Sequence, residues 1–125
     1  MGYRELTGYT VEVVGPGEAV ARMTVTDDHL NRGGVMHGGA IATMCDSAMG
    51  HAVVSGAGPG KTSATASMNM VYFASAVPGD HLTVRAKVIK AGRTTVFAEA
   101  DVTRDGDGRA LAQGVATFVV RDRRS

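Results

Sequence analysis

The chain has 125 residues, 44% hydrophobic and 20% charged, with a net charge of +1 at pH 7. That is the length of about one domain and the composition of an ordinary globular protein, and it excludes a polyanion binder with a broad basic field. The single cysteine, Cys45, allows no internal disulfide, which fits a reducing cytoplasm, and the lack of tryptophan argues against stacking platforms for single-stranded nucleic acid.

In chain order, the opening MGYRELTGY has no apolar core of the signal-peptide kind. Residues 9–14 and 18–26 are strand candidates joined by the turn Gly15-Pro16-Gly17. The second alternates, with Ala19, Ala21, Met23 and Val25 on one side. A loop follows over residues 27–37. The next segment, about 39–54, carries Ile41, Met44, Cys45, Ala48 and Ala52 on one helical face with no proline inside. Ser55-Gly56-Ala57-Gly58-Pro59-Gly60 is expected to stop that helix. Four more strands are expected at 65–73, 82–90, 94–102 and 110–120. The links Val77-Pro78-Gly79-Asp80, Ala91-Gly92-Arg93 and Asp105-Gly106-Asp107-Gly108 carry turn chemistry, so the last three strands form an antiparallel meander. The end, Arg121, Asp122, Arg123 and Arg124, is locally basic and is expected to be solvated. No stretch approaches the roughly 20 apolar residues that span a bilayer. One long helix with five or six alternating strands predicts an α+β fold: a curved antiparallel sheet wrapped around one central helix, in a single domain over 1–125. So short a chain buries a modest core, and self-association is expected.

Several patterns invite a function and fail. Gly56-Ala57-Gly58-Pro59-Gly60-Lys61-Thr62 resembles a phosphate loop, but its glycine spacing is one residue short and it follows a helix instead of a strand. His29, His37, His51 and His81 show no paired ligand spacing, and no metal site is expected. Cys45 reads as a buried structural thiol. Ser47 and Ser67 lack a nucleophile-elbow context. Met68 and Met70 alternate as core or groove lining, and Arg85 and Lys87 as a wet sheet face.

Asp46 is the anomaly. It stands in mid-helix with no Lys or Arg three or four residues away. Taking Ile41 as origin, the apolar stripe lies within about 60° and Asp46 about 140° away. Its neighbours on that second face, Gly39, Ala42, Gly50 and Val53, are mostly small and permit close approach of another element. Such a carboxylate is either solvated or catalytic. The glycines favour catalysis: Gly38 and Gly39 open the helix, where the first N–H groups lack intrahelical acceptors and the dipole favours negative charge. A residue without a side chain lets a ligand oxygen reach its N–H, as an oxyanion hole requires. A carboxylate with an oxyanion donor is equipment for acyl transfer. Gly38 and Asp46 are eight residues apart, roughly 12 Å along a helix, so one carbonyl cannot touch both in one chain. Two antiparallel helices related by a two-fold axis predict a site shared across a dimer.

The pattern Asn31-x-x-Gly34-x-x-His37-Gly38-Gly39, then Asp46, Gly92-Arg93 and a final strand with Ala112 and Phe118, resembles the hotdog-fold acyl-CoA thioesterases of the phenylacetate-degradation type over nearly the whole chain. The resemblance implies the hotdog fold and hydrolysis of an aryl- or medium-chain acyl-CoA to free acid and coenzyme A. It implies no cofactor, since the coenzyme A thioester is the substrate, and a homotetramer built as a dimer of dimers. It makes Asp46 the catalytic carboxylate, nucleophile or general base, and Gly38 the N–H that polarises the thioester carbonyl. Asn31 becomes the amide that positions carbonyl or water, and His37 a structural and polarising hydrogen bonder. Relatives often carry Ser or Thr four residues after the acid; here Gly50 stands there, a small residue that the Asp branch tolerates. Gly39 is expected at the substrate, and Val71, Tyr72 and Phe73 in the acyl lining. Lys90 and Arg93, flanking the turn at Gly92, and Lys61 are the candidate cations for the coenzyme A phosphates, against a merely solvated turn. The expected location is cytoplasmic, with no nucleic acid and no membrane as partner. Two alternatives stay open. A non-catalytic acyl-CoA-binding module of this fold needs a partner or DNA-binding segment, for which the chain has no spare length. A hotdog dehydratase uses a His base and a carboxylate, but its motifs do not match His-Gly-Gly.

Overall fold

The computed structural model describes residues 2–123, so Arg124 of the basic end lies outside it. After a short helix α1 (Tyr3–Thr7) come β1 (Thr10–Gly15), β2 (Glu18–Thr24), the long helix α2 (Gly38–Ala57), β3 (Lys61–Tyr72), β4 (His81–Ala91), β5 (Thr95–Arg104) and β6 (Ala110–Asp122). The strands form one antiparallel sheet in the order β1-β2-β4-β5-β6-β3. The expected meander is β4-β5-β6. The chain leaves β2 through α2 and returns along the far edge, so β3 pairs with β6.

Alternation sets which face is covered. Leu82, Val84 and Ala86 of β4 are buried while Arg85 and Lys87 are exposed. β5 and β6 do the same with Val96, Ala98, Ala100 and Val102, and with Ala112, Ala116 and Phe118. α2 lies across the buried face and contacts all six strands. It buries the predicted stripe and also Met49 and Val53, because the curved sheet wraps more than one side of the helix. Bulges near Ala66 in β3 and Ile89 in β4 add to that curvature. Cys45 is buried as expected, and burial, with Asp101 and Asp46 adding, pushes its thiol up to about 12.

The structure departs from the sequence expectations at element ends, each time for a tertiary reason. α2 does not stop at Val54 but runs to Ala57. The Ser55 hydroxyl donates to Ala52 O at 2.9 Å and accepts the Gly17 N–H at 3.0 Å. A Cβ on Gly56 would lie 3.3 Å from Gly17 Cα, so this glycine serves a close approach of helix and β1–β2 turn. The stop is Gly58, at φ +98°. β3 begins at Lys61, ahead of the expected 65, because the polar run Lys61-Thr62-Ser63 has no apolar period but pairs with the end of β6. Arg121 and Asp122, expected as part of a solvated end, are therefore strand residues, and Asp122 pairs with Lys61 at 2.6 Å. β2 ends at Thr24. Thr26 then caps a 3-10 turn over Asp27–His29, with the His29 Nδ1 accepting the Thr26 N–H at 2.9 Å.

Candidate active site

The loop before α2 is built by side chains that bind its own backbone. Asn31 Oδ1 accepts the N–H of Gly33 at 2.8 Å and of Val35 at 3.4 Å, while Asn31 O accepts the Gly34 N–H at 3.2 Å. Gly34 sits at φ +80°, which a side chain would strain. His37 is the N-cap of α2: its Nδ1 accepts the Gly39 N–H at 2.8 Å. A Cβ on Gly39 would lie 2.9 Å from that nitrogen, so the cap dictates the glycine. The Gly39 N–H is thereby taken. The Gly38 N–H has no acceptor among the described residues. Gly38 O accepts the Tyr72 hydroxyl at 2.8 Å, and a Cβ on Gly38 would lie 3.2 Å from Tyr72 Cζ. Burial, with Cys45 nearby, raises the Tyr72 phenol above its ordinary range, which keeps it protonated as that donor.

Asp46 lies two turns further along α2 and is half-buried. Its Oδ1 accepts the Thr65 hydroxyl at 2.6 Å, and no cation pairs with it among the described residues. It borders an open cavity of about 570 Å3 together with Ser47, Gly50, His51, Ser63 and Thr65. The second helical face admits a close approach of another element, as its small residues predict, and part of that approach is made within the chain. Val53 is buried, and a Cβ on Gly50 would lie 3.7 Å from the Phe118 ring. The chain's own sheet fills that part of the face and leaves Asp46 at the mouth. His37 and Gly39 line a different cavity, of about 620 Å3, between α1 and the start of α2. The N-cap of α2 and the carboxylate thus border separate spaces within one chain.

The sequence model of the thioesterase superfamily matches residues 33–111, from the glycine loop through α2 into β6. The chain belongs to the thioesterase superfamily. Human acyl-coenzyme A thioesterase 13 is 33% identical over 113 residues, covering 89% of this chain and 79% of the relative. A hypothetical thioesterase of Streptococcus pneumoniae TIGR4, solved with coenzyme A, superposes with a TM-score of 0.84 at 30% identity, covering 94% of this chain and 92% of that one. A single-residue variant of the phenylacetic acid degradation protein PaaI from Thermus thermophilus gives 0.84 and 30%, covering 94% and 96%. The six-stranded antiparallel sheet around one long helix is the hotdog fold, and the chain is a thioester hydrolase.

In this thioesterase the expected acyl lining divides. Tyr72 pairs with buried Ala112 and turns toward Gly38. Val71 pairs with exposed Gln113 on the opposite sheet face, and Phe73 borders a separate cavity there with Arg85 and Asp101. Strand alternation makes a continuous lining by all three impossible. The expected cations divide as well. Lys61, Gly92 and Arg93 surround one cavity of about 430 Å3 beyond the C-terminal end of α2, floored by Val53, Val88 and Val120. The bulge at Ile89 pairs Lys90 with exposed Phe97 on the outer face, away from that cavity. Gly92 makes the tight turn expected: its N–H donates to Thr95 O at 2.8 Å, and a Cβ there would lie 2.9 Å from that oxygen.

Thr65 is the residue that sequence reasoning missed. The expected place for a hydroxyl near Asp46 was four residues along the helix, where Gly50 stands. The structure supplies it from β3 across the sheet-helix interface. The available signal was a threonine among small residues in a strand predicted to follow the helix, which is too common a pattern to single it out.

Proposed function

We propose that the chain hydrolyses acyl-CoA thioesters, aryl or medium-chain, to a free acid and coenzyme A without a cofactor, in a site that two copies share. The observation that carries the reading is Asp46, a half-buried carboxylate with no cation partner among the described residues, anchored by Thr65 in the wall of an open cavity. Carboxylates are rarely withdrawn from water without a partner unless chemistry needs them there.

Asp46 either attacks the carbonyl carbon or takes the proton of an attacking water. On both routes negative charge develops on the carbonyl oxygen, the coenzyme A thiolate leaves, and water supplies the second oxygen of the acid. The Gly38 N–H, at the positive end of α2, faces that charge. The roughly 12 Å between the two groups supports placing donor and carboxylate in different copies, with two such dimers forming a homotetramer. His37 holds the first turn of α2 in place by its cap, and Asn31 holds the loop that leads to it. Arg93, beside Gly92, suits the coenzyme A phosphates, with Lys61, which also pairs with Asp122, on the same cavity; the two cations offset the partial negative charge at the C-terminal end of α2, which by itself repels an anion. The name of the human relative and the coenzyme A in the pneumococcal structure support this ligand. The lone buried cysteine supports a cytoplasmic location.

Release of free thiol from a panel of acyl-CoAs tests the activity. Asp46→Asn is expected to lose most turnover and retain substrate binding. Mixing Asp46→Ala chains with Gly38→Val chains is expected to restore activity that neither has alone. No thiol from any aryl or alkyl thioester overturns the activity. Thiol release by the wild type without complementation overturns only the sharing.

A further inference from the structure

His29 takes no part in the reaction just described, yet it is buried and both of its ring nitrogens are bound to backbone. Nδ1 accepts the Thr26 N–H at 2.9 Å. That leaves the ring proton on Nε2, and the Nε2–H donates to Thr7 O at the end of α1. Withdrawing an imidazole from water is costly unless its nitrogens are satisfied in this way. The 3-10 turn that His29 closes is weak by itself. Its two backbone bonds, His29 N–H to Thr26 O and Leu30 N–H to Asp27 O, measure 3.1 and 3.3 Å, near and beyond the long end of the ordinary range.

That turn carries the start of α2. Two backbone bonds close the neck of the glycine loop: Asn31 N–H to Val35 O at 2.8 Å and His37 N–H to His29 O at 2.7 Å. The Met36 N–H, bound to Ala76 O at 2.8 Å, sets where the chain enters the helix. The carbonyl of His29 orients the next peptide plane. His37 then takes the Gly39 N–H on its own ring, and the Gly38 N–H is the one left over. We infer that His29 is a positioning residue for the oxyanion donor: its Nδ1 holds the turn whose carbonyl seats His37, and so aims the Gly38 N–H; the inference rests on the thioesterase reading above. The bond to Thr26 does this and the bond to Thr7 does not. Thr26 belongs to the turn, whereas Thr7 belongs to α1, which buries none of its residues. An oxyanion donor works only where it is aimed, and a misplacement of about 1 Å costs up to about a hundredfold in rate.

Two substitutions separate the two ring bonds. Asparagine places an amide oxygen where Nδ1 stands, and glutamine places an amide nitrogen where Nε2 stands. His29→Asn therefore keeps the bond to Thr26, and His29→Gln keeps only the bond to Thr7. With octanoyl-CoA, His29→Gln is expected to lower kcat about tenfold, part of the cost of a full misplacement, with KM little changed. His29→Asn is expected to stay near wild type. Inhibitors tell aiming from general loosening. A coenzyme A trifluoromethyl ketone, whose hydrated carbon mimics the tetrahedral intermediate, is expected to bind His29→Gln about tenfold more weakly than wild type. The thioether S-octyl-coenzyme A, which has no carbonyl, is expected to bind both equally. Tyr3→Phe, which loosens α1 from Thr43 without touching the turn, is expected to change none of these values. Wild-type kcat in His29→Gln overturns the inference, as does an equal loss in His29→Asn or an equal weakening of ketone and thioether. Each variant keeps one bond, so either one that folds decides. A wild type that releases no thiol overturns the reading beneath.

Discussion

Replacing Thr65 by valine removes one hydroxyl and almost nothing else. Both side chains are β-branched and suit a strand, and Thr65 is exposed, so β3 is expected to hold its place. What is lost is the 2.6 Å hydrogen bond to Asp46 Oδ1. A bond from a hydroxyl to a charged acceptor contributes about 1.5–3 kcal/mol. Asp46 is half-buried at the mouth of an open cavity, so water replaces part of the bond and the low end applies. About 1.4 kcal/mol at the transition state is about a tenfold fall in rate. The hydroxyl orients the carboxylate and does not hold coenzyme A, so kcat is expected to fall about tenfold with KM little changed. Thr65→Ser, which keeps the donor, is expected to stay near wild type. The assay is steady-state thiol release with saturating acyl-CoA, with a thermal melt on each variant. Wild-type kcat in Thr65→Val, or an equal loss in Thr65→Ser, would refute the positioning argument.

Gly38→Ala is expected to slow turnover by pushing the Tyr72 ring, and Gly38→Ala with Tyr72→Leu to recover most of it, since alanine keeps the N–H; no recovery would show that the side chain blocks the substrate itself. Arg93→Ala is expected to raise KM for acyl-CoA while leaving hydrolysis of an N-acetylcysteamine thioester, which has no phosphates, untouched; equal effects on both would remove Arg93 from phosphate binding. Cys45 is expected to resist thiol reagents at pH 8 in the folded protein, because burial raises it from 9.0 to about 12. The folded state keeps the thiol proton where the unfolded chain loses it, so the contribution of Cys45 to stability falls as pH rises from about 9 toward about 12. Urea unfolding of Cys45→Ala is expected to show a flatter decline, and parallel slopes would deny the linkage. Met44→Ala, emptying a fully buried site in α2, is expected to cost about 2–5 kcal/mol in urea unfolding; a loss below that range would mean the core collapses around the gap.

The glycine-rich loop shows how far local reading reaches. A helix start at His37-Gly38-Gly39 was legible, because caps and helix period are set by residues close in the chain. What each glycine does was not. Gly39 exists for the His37 cap, and Gly38 lies under a tyrosine 34 residues away. The hydroxyl on Asp46 comes from 19 residues away. Lys61 reaches the Arg93 turn through the first pairing of β3, which begins in a run with no apolar alternation. α1 was invisible because a five-residue helix with no buried face leaves no periodicity to detect.

By itself, the sequence determined the helix and the meander, since these depend on period and turn residues close in the chain, and it set Asp46 and the glycine-opened start on one helix. Only the tertiary structure decided which N–H is free, which hydroxyl serves Asp46, which cations share a cavity, and that the helix cap and the carboxylate border separate spaces. Those outcomes follow from the order of strands in the sheet and from alternation across β3. Contacts between distant segments have no period in the sequence, and the sheet that wraps α2 is what brings them into being.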